Sequence, residues 1–269
     1  MQTLADIRAI LEKRGLSPRK AFGQNFLLDH NLIRKLVDAA GVKAGDTVLE
    51  VGPGTGALTE ELIERGCRVV AAEIDRGLAA HLREHFAGAG DRFTLVEGDC
   101  LADKRTLAPD IIDALGPGPF RLVSNLPYGA ATPVMSVLLI DHPACEGLFV
   151  TIQREVADRL TARPGSKDYG TLSVIAQTTA EIKVIATLPP ECFWPRPEVT
   201  SAMVSLVRRE RPLVEDVRGL AAFVQNLFEK RRKQLGAVLG RDRAWPDGIG
   251  PTDRAESLSV EQLISLFRA

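Results

Sequence analysis

The chain has few cysteines, four in 269 residues (Cys67, Cys100, Cys145 and Cys192), and none stands in a C-x-x-C pair. That scatter argues against a structural zinc site or any other metal centre and against a disulfide framework, and leaves buried reduced thiols as the expectation. Long apolar runs are missing as well. Stretches such as Leu172 to Ala176 fall far short of the roughly 20 residues needed to span a bilayer. No basic-then-apolar leader opens the sequence, so a cytoplasmic protein with no membrane partner is expected. An excess of either charge is also absent. Lys+Arg 34 against Asp+Glu 35 gives a formal net charge of -1, so any polyanion-binding surface must come from local clusters. What is present is a 45% hydrophobic composition, ample for the core of one α/β domain with a small appendage.

Leu4, Ile7, Ile10 and Leu11 recur at helical spacing before Gly15, and Leu32, Ile33, Leu36, Val37 and Ala40 do so between Asp29 and Gly41. Two helices are therefore expected ahead of the first strand. From there, β-rich runs alternate with helical stretches: Thr47 to Val51, Arg68 to Ala72, Phe93 to Val96, Arg121 to Ser124 and Leu148 to Ile152. The alternation predicts βαβ units and a parallel sheet. Glu181 to Leu188 and Ala202 to Val207 flank a stretch holding Pro189, Pro190, Pro195 and Pro197, which predicts a hairpin at one sheet edge and brings the strand count to seven. After the charged run Arg209-Glu210-Arg211 the patterns around Leu220 to Phe228 and Val260 to Phe267 are helical. A catalytic domain over 1–208 and a small all-helical domain over 209–269 are expected.

The first strand runs into Gly52-Pro53-Gly54-Thr55-Gly56 and then Ala57 to Leu62, a strand ending in a glycine turn that opens a helix. Glycine lets the backbone approach a nucleoside closely. Glu73 follows the second strand, where a carboxylate can accept hydrogen bonds from ribose hydroxyls. Gly52, Gly54 and Ala57 also fit G-x-G-x-x-A, so a methyltransferase, a nicotinamide enzyme and a plain structural turn all stay open on this loop alone. Gly98-Asp99 ends the third strand, in place either to receive an adenine amine or to make an ordinary turn.

Strand four ends in Asn125-Leu126-Pro127-Tyr128, on the edge of the sheet where open α/β proteins bind ligands. An exocyclic amine is a poor nucleophile because its lone pair is delocalised into the ring. Acceptors aimed at its hydrogens favour a pyramidal amine. The Asn125 side-chain oxygen and the Leu126 carbonyl, stiffened by Pro127, could be those acceptors, with Tyr128 stacked on the base. Transfer of an already activated methyl is then chiefly a matter of positioning. A strand-ending turn with a packed tyrosine is the structural alternative.

With these segments in view, the sequence resembles the ribosomal RNA adenine dimethyltransferases, in particular the bacterial small-subunit enzymes. The likeness covers most of the chain. It includes Gly23-Gln24-Asn25-Phe26-Leu27, Glu50 to Gly56, Glu73-Ile74-Asp75, Gly98-Asp99, Asn125 to Tyr128, Gln153 to Leu160, Pro164 to Gly170, Pro195 to Val199 and Phe228 to Lys233. The resemblance implies a Rossmann-like class I methyltransferase fold with a mostly parallel seven-stranded sheet and a small all-helical C-terminal domain. It implies S-adenosylmethionine as cofactor, leaving as S-adenosylhomocysteine and bound by Asn25, Leu27, Gly52, Gly54, Glu73, Asp99 and Asn125. The target adenine then lies between Asn125 and Tyr128, and the partner is small-subunit rRNA within the ribosomal small subunit, met by a monomer. Three departures stand out: Gly129 where relatives usually carry asparagine, Thr200 where aspartate is common, and the added turn Gly116-Pro117-Gly118-Pro119. They are expected to alter loops rather than chemistry.

Lys230-Arg231-Arg232-Lys233 is the densest basic run, followed by Arg241 and Arg243, while Arg14, Arg19 and Lys20 cluster earlier. These could neutralise rRNA phosphates, although a solvated helix face is the ordinary explanation for such runs. His81 and His85 stand at i, i+4 without the glutamate of an H-E-x-x-H arrangement, which speaks against a metal pair. Trp194, among prolines, reads as a packed loop anchor. The competing functions are a large-subunit rRNA adenine methyltransferase conferring macrolide resistance, and a non-catalytic RNA-binding assembly factor of the same fold. Intact Glu73, Asp99, Asn125 and Tyr128 argue against the second, and the roughly 60 remaining residues hold no hydride-handling constellation for a nicotinamide enzyme.

Overall fold

The structure is a computed structural model that describes residues 2–19 and 22–269; Lys20 of the early basic cluster lies outside them. Helix α1 (Leu4–Lys13) opens on a capping box between Thr3 and Asp6. Helix α2 (His30–Ala40) starts at the Asp29 cap and ends at Gly41, whose φ of 59° suits only glycine well. Between them lies a strand that periodicity did not predict, β1 (Phe26–Leu27). Then follow β2 (Thr47–Val51), α3 (Ala57–Glu64), β3 (Arg68–Glu73), α4 (Arg76–His85), β4 (Phe93–Glu97), a small hairpin of β5 (Leu101–Asp103) and β6 (Thr106–Leu107), and α5 (Pro109–Leu115). The second half comprises β7 (Phe120–Asn125), α6 (Tyr128–Asp141), β8 (Cys145–Gln153), α7 (Arg154–Leu160), α8 (Thr171–Thr179), β9 (Ala180–Leu188), β10 (Phe193–Trp194), β11 (Ser201–Arg208), α9 (Val217–Glu229), α10 (Leu235–Leu239) and α11 (Val260–Arg268).

The main sheet has seven strands in the order β4-β3-β2-β7-β8-β11-β9. The first five run parallel, and β11 enters antiparallel between β8 and β9. The predicted edge pair is therefore present, with the later strand on the inside. Both faces of the sheet are covered at its centre, so β2, β3, β7 and β8 are largely apolar rather than alternating, whereas the edge strand β9 carries exposed Glu181 and Lys183. Val48, Val69, Val123 and Phe149 face α2 and α3, whereas Leu49, Val70, Leu122 and Val150 face a second cluster reaching α6, α8 and the helices beyond Arg208. Leu220, Val224, Leu263 and Leu266 share that cluster with Val134, Leu138 and Val174. The C-terminal helices thus pack on the sheet's own helical layer through one continuous core.

Two features place the functional end of the sheet. The chain winds outward from β2 to β4 and then returns to β7, so β2 and β7 are neighbours whose following loops diverge, and a crevice opens beyond their carboxyl ends. The second feature is Arg208, which fixes α6 from its far end. Its guanidinium donates to the carbonyls of Leu138 (2.8 Å), Leu139 (3.3 Å) and His142 (3.2 Å), groups that the end of a helix otherwise leaves without partners, and to that of Cys145 (2.7 Å) at the start of β8. Burial lowers the pKa of this arginine. Arg208→Met is expected to cost about 2–4 kcal/mol by stranding those carbonyls, which in a chain of this size lowers the thermal midpoint by roughly 5–12 °C in calorimetry.

Candidate active site

The crevice between β2 and β7 is a cavity of about 960 Å³, near the upper end of the roughly 300–1,000 Å³ range of small-molecule clefts. Its floor is the glycine turn. Gly52 and Gly54 take φ of 71° and 63°, and no side chain would fit: a Cβ on Gly52 would stand 2.9 Å from Pro127 Cγ, and one on Gly54 2.9 Å from Phe26 Cε1. The turn is pressed between the β1 segment and the start of α6. Glu73, the last residue of β3 rather than one beyond it, holds the turn from below. Its carboxylate accepts the Gly54 N–H at 3.1 Å and the Asp75 N–H at 2.8 Å. Each oxygen keeps a lone pair for a further donor.

Asn125 ends β7 and donates its amide Nδ2 to the Asn25 carbonyl at 2.8 Å. A carbonyl can only accept, so this bond fixes which way the amide faces and leaves Oδ1 as a free acceptor. Pro127 is the cap of α6, and Tyr128 is its first residue, with its hydroxyl 2.7 Å from Ser201 Oγ on β11. Burial raises the pKa of Tyr128, against the Ser201 hydrogen bond, so it stays a neutral aromatic. Pro133 lacks an N–H, so the Gly129 carbonyl one turn earlier is left without its helical partner. A Cβ added at Gly129 would meet nothing within 4 Å, so the position has room for a side chain.

Asn25, Leu27, Gly52, Gly54, Glu73, Asp99, Asn125, Pro127 and Tyr128 all line this one cavity. Leu126 does not line it with its side chain, which is 1% exposed and packs in the core; its N–H donates to the Thr151 carbonyl, so its part in the site is its main chain. Asp99 turns one oxygen to the Leu101 N–H. Lys230, Arg231, Arg232 and Lys233 lie away from the cavity, just past the end of α9. Lys230, Arg232 and Lys233 are exposed, but Arg231 is half-buried and bonds to Glu256 and to the carbonyls of Ser166 and Lys167. Arg14 pairs with Glu84, Arg19 lies 3.7 Å from Asp75, and Arg243 donates to the Leu266 carbonyl. His81 and His85 stack on each other, and no metal-binding cluster of acidic, histidine or cysteine residues occurs among the described residues. Trp194 stacks on Phe26 and carries Arg8 over its ring. Sequence reading gave no site role to Phe22, Ile74, Gln153 or Ser201, although Ile74 and Gln153 stand in segments on which the resemblance rests. Ile74 is exposed at the cavity wall and Gln153 ends the strand beside Asn125; the carboxyl ends of the neighbouring strands were the signal for both.

The cavity's rear wall is acidic. Burial pushes Glu73 up to about 7, against the Asp75 and Gly54 hydrogen bonds. Glu50, wholly buried, rises to about 8 through burial, opposed by a 2.6 Å bond from the Thr59 hydroxyl and reinforced by the charge of Glu73. In the unfolded chain Glu50 ionises near its ordinary value of 4.5, whereas the fold holds its proton to about 8. Between those values the folded form binds the extra proton, so stability falls as pH rises from about 4.5 to 8. Glu50→Gln, which keeps an acceptor for Thr59, is expected to flatten most of that slope. In urea titrations from pH 5 to 8 it should gain about 2–4 kcal/mol on the native chain, leaving the smaller slope due to Glu73.

The family model described as ribosomal RNA adenine dimethylase matches residues 15–269. The chain is 44% identical to ribosomal RNA small subunit methyltransferase A of Magnetococcus marinus, over 97% of this chain and 94% of that protein. It is 42% identical to the protein of the same name from Moorella thermoacetica, over 97% and 95%. Among solved structures it is similar to the 23S rRNA methyltransferase ErmE, with TM-score 0.68 and 30% identity over 91% of this chain and 98% of that one. A dimethyladenosine transferase from Plasmodium falciparum shares the fold, with TM-score 0.73 and 21% identity over 90% and 95%. With the glycine turn, Glu73 and the Asn125-to-Tyr128 segment gathered on one cavity, the chain belongs to the ribosomal RNA adenine dimethylase family.

Proposed function

We propose that this chain dimethylates the exocyclic N6 amine of two adjacent adenosines near the 3′ end of small-subunit rRNA, during maturation of the small subunit. Its relatives at 40–44% identity carry the small-subunit name, while the large-subunit enzyme stands at 30%; this favours the small subunit over a macrolide-resistance target. The observation that carries the chemistry is the orientation of Asn125, with Nδ2 tied to the Asn25 carbonyl and Oδ1 left free.

S-adenosylmethionine fits the cradle: the glycine turn has no room for side chains, Glu73 has lone pairs for ribose hydroxyls, and Asp99 and Ile74 flank the far end for an adenine. Asn25, Leu27, Gly52, Gly54, Glu73, Asp99 and Asn125 would hold it. When bound it supplies a methyl group already activated on a sulfonium. The protein's work is then to present the amine. Asn125 Oδ1 and the Leu126 carbonyl accept its two hydrogens, which draws the lone pair out of conjugation and aims it along the transfer line. Pro127 keeps these acceptors in place, and Tyr128, tethered to Ser201, stacks on the ring. No strong general base is needed, because the proton leaves an amine that has become cationic.

The exposed cations Lys230, Arg232 and Lys233 would grip rRNA phosphates, with Arg231 bracing the turn that carries them, and the helices of 209–269 would serve in docking on the subunit. The chain would act as a monomer in the cytoplasm, and among the described residues no helix is long and apolar enough to cross a membrane.

With labelled S-adenosylmethionine and small subunits lacking this modification, nucleoside digestion is expected to yield dimethyladenosine; label confined to large-subunit RNA would defeat the reading. Asn125→Ala should lower turnover about 100-fold or more while the protein still folds. Tyr128→Ala should lose roughly 5- to 150-fold through lost stacking, and Tyr128→Phe, which keeps the ring, much less.

A further inference from the structure

Gln153 is the last residue of β8 and lines the cavity, and the mechanism above leaves it without a task. The parallel register pairs Asn125 with Thr151, so Gln153 stands one pleat further along, on the same face of the sheet as Asn125. The antiparallel register on its other side pairs Gln153 with Ser201, the residue whose hydroxyl meets Tyr128. Directly opposed residues of this kind hold their Cβ atoms about 5 Å apart. Gln153 is thus next to both the amine-orienting residue and the stacking residue. Its side chain is half-buried, caps no backbone N–H of α7 and makes no hydrogen bond to another described residue.

We infer that Gln153 is the residue that reads the target base as adenine: its amide N–H donates to the ring nitrogen beside the exocyclic amine, N1 or N7. The inference rests on the adenine N6 reading. If Asn125 and Leu126 take the two amine hydrogens, the neighbouring ring nitrogens are acceptors enclosed by protein, and an enclosed acceptor without a donor costs binding. The other polar groups of this wall are committed or of the wrong kind. The Tyr128 hydroxyl is joined to Ser201, Arg196 lies 3.3 Å from Glu191, and Glu198 is a carboxylate. Guanine and hypoxanthine present a carbonyl where adenine presents its amine, which the acceptors of Asn125 and Leu126 repel, and an N1–H where adenine presents N1, which a donor on N1 repels; N7 is an acceptor in all three, so a donor there would add binding without choosing among them.

The test pairs variants of the protein with variants of the base. Small subunits are reconstituted with rRNA carrying adenosine, 1-deazaadenosine or 7-deazaadenosine at the target position, and kcat/KM is measured for the native protein, Gln153→Ala and Gln153→Glu. The native protein is expected to lose about 10- to 100-fold on one analogue. Gln153→Ala should lose a similar factor on adenosine and nothing further on that analogue, with its melting temperature and its affinity for S-adenosylmethionine unchanged. Gln153→Glu should match the alanine variant at high pH and recover as its carboxyl gains a proton and becomes a donor, a pH profile that a merely structural role would not produce. Equal deaza penalties in the native and alanine proteins, or a fully active Gln153→Ala, would overturn the assignment. If the native protein forms no methyladenosine on unmodified subunits, the functional reading itself falls with it.

Discussion

The chain reverses its winding between β2 and β7, and most of what the site can do follows from that topological break. Where adjacent parallel strands are joined in sequence, a helix covers the space beyond their ends. Here the loops after Val51 and Asn125 part in opposite directions, and the space between them stays open. The opening would collapse if its lining were bulky or mobile. Instead Phe26 and Pro127 press on the two sides of a turn built from Gly52 and Gly54, and Glu73 binds that turn from behind. The cavity is a gap held at a width that the Phe26 and Pro127 rings and the Glu73 carboxylate set against the glycine turn.

The acids of the rear wall sit well with a cationic guest. Glu50 and Glu73 are raised above the usual carboxylate range mainly by burial, which favours their neutral forms. A ligand bearing a sulfonium and an ammonium brings positive charge of its own and favours the ionised acids. Around Asn125 the nearest groups are neutral by contrast, an amide, a main-chain carbonyl, a proline and a tyrosine, while the charged Arg196 and Glu198 line the cavity on the segment after β10. Under the proposed function an uncharged base would meet dipoles of fixed direction there, and the transfer would depend on alignment more than on proton traffic.

Much of this was legible in the residues. Every strand of the main sheet was found to within a few residues, because buried parallel strands read as short apolar runs bounded by turn signals. The helix ends at Asp29 and Gly41 were equally plain, since a side-chain acceptor and a left-handed residue are local requirements. The two-residue strands β1 and β10 and the small hairpin of β5 and β6 were not legible. Phe26 pairs with Trp194 through contacts far apart in sequence, and two residues carry no period. The floor and the base-facing segment of the site could be named from motif spacing, but their mutual constraints could not. That Asn125 is turned by the Asn25 carbonyl, that Tyr128 is tethered to Ser201, and that Leu126 offers only its main chain all depend on tertiary contacts. The run Lys230 to Lys233 shows the same limit: four cations alike on paper separate into one internal brace, Arg231, and three exposed charges.

The pairing of β1 with β10 bears on how the molecule comes into being. Phe26 is made before any strand of the main sheet, yet its partner Trp194 emerges only after six of the seven, and Ser201, which holds Tyr128, comes later still. As the chain leaves the ribosome from its amino end, the glycine turn and its helix can form long before the wall that faces them. The pocket is closed by a late segment returning to an early one, so a nascent chain stopped short of Trp194 has the floor of the site and lacks its lining. A protein that matures ribosomes thus becomes able to do so only once Trp194 and Ser201 have been made and have returned to Phe26 and Tyr128.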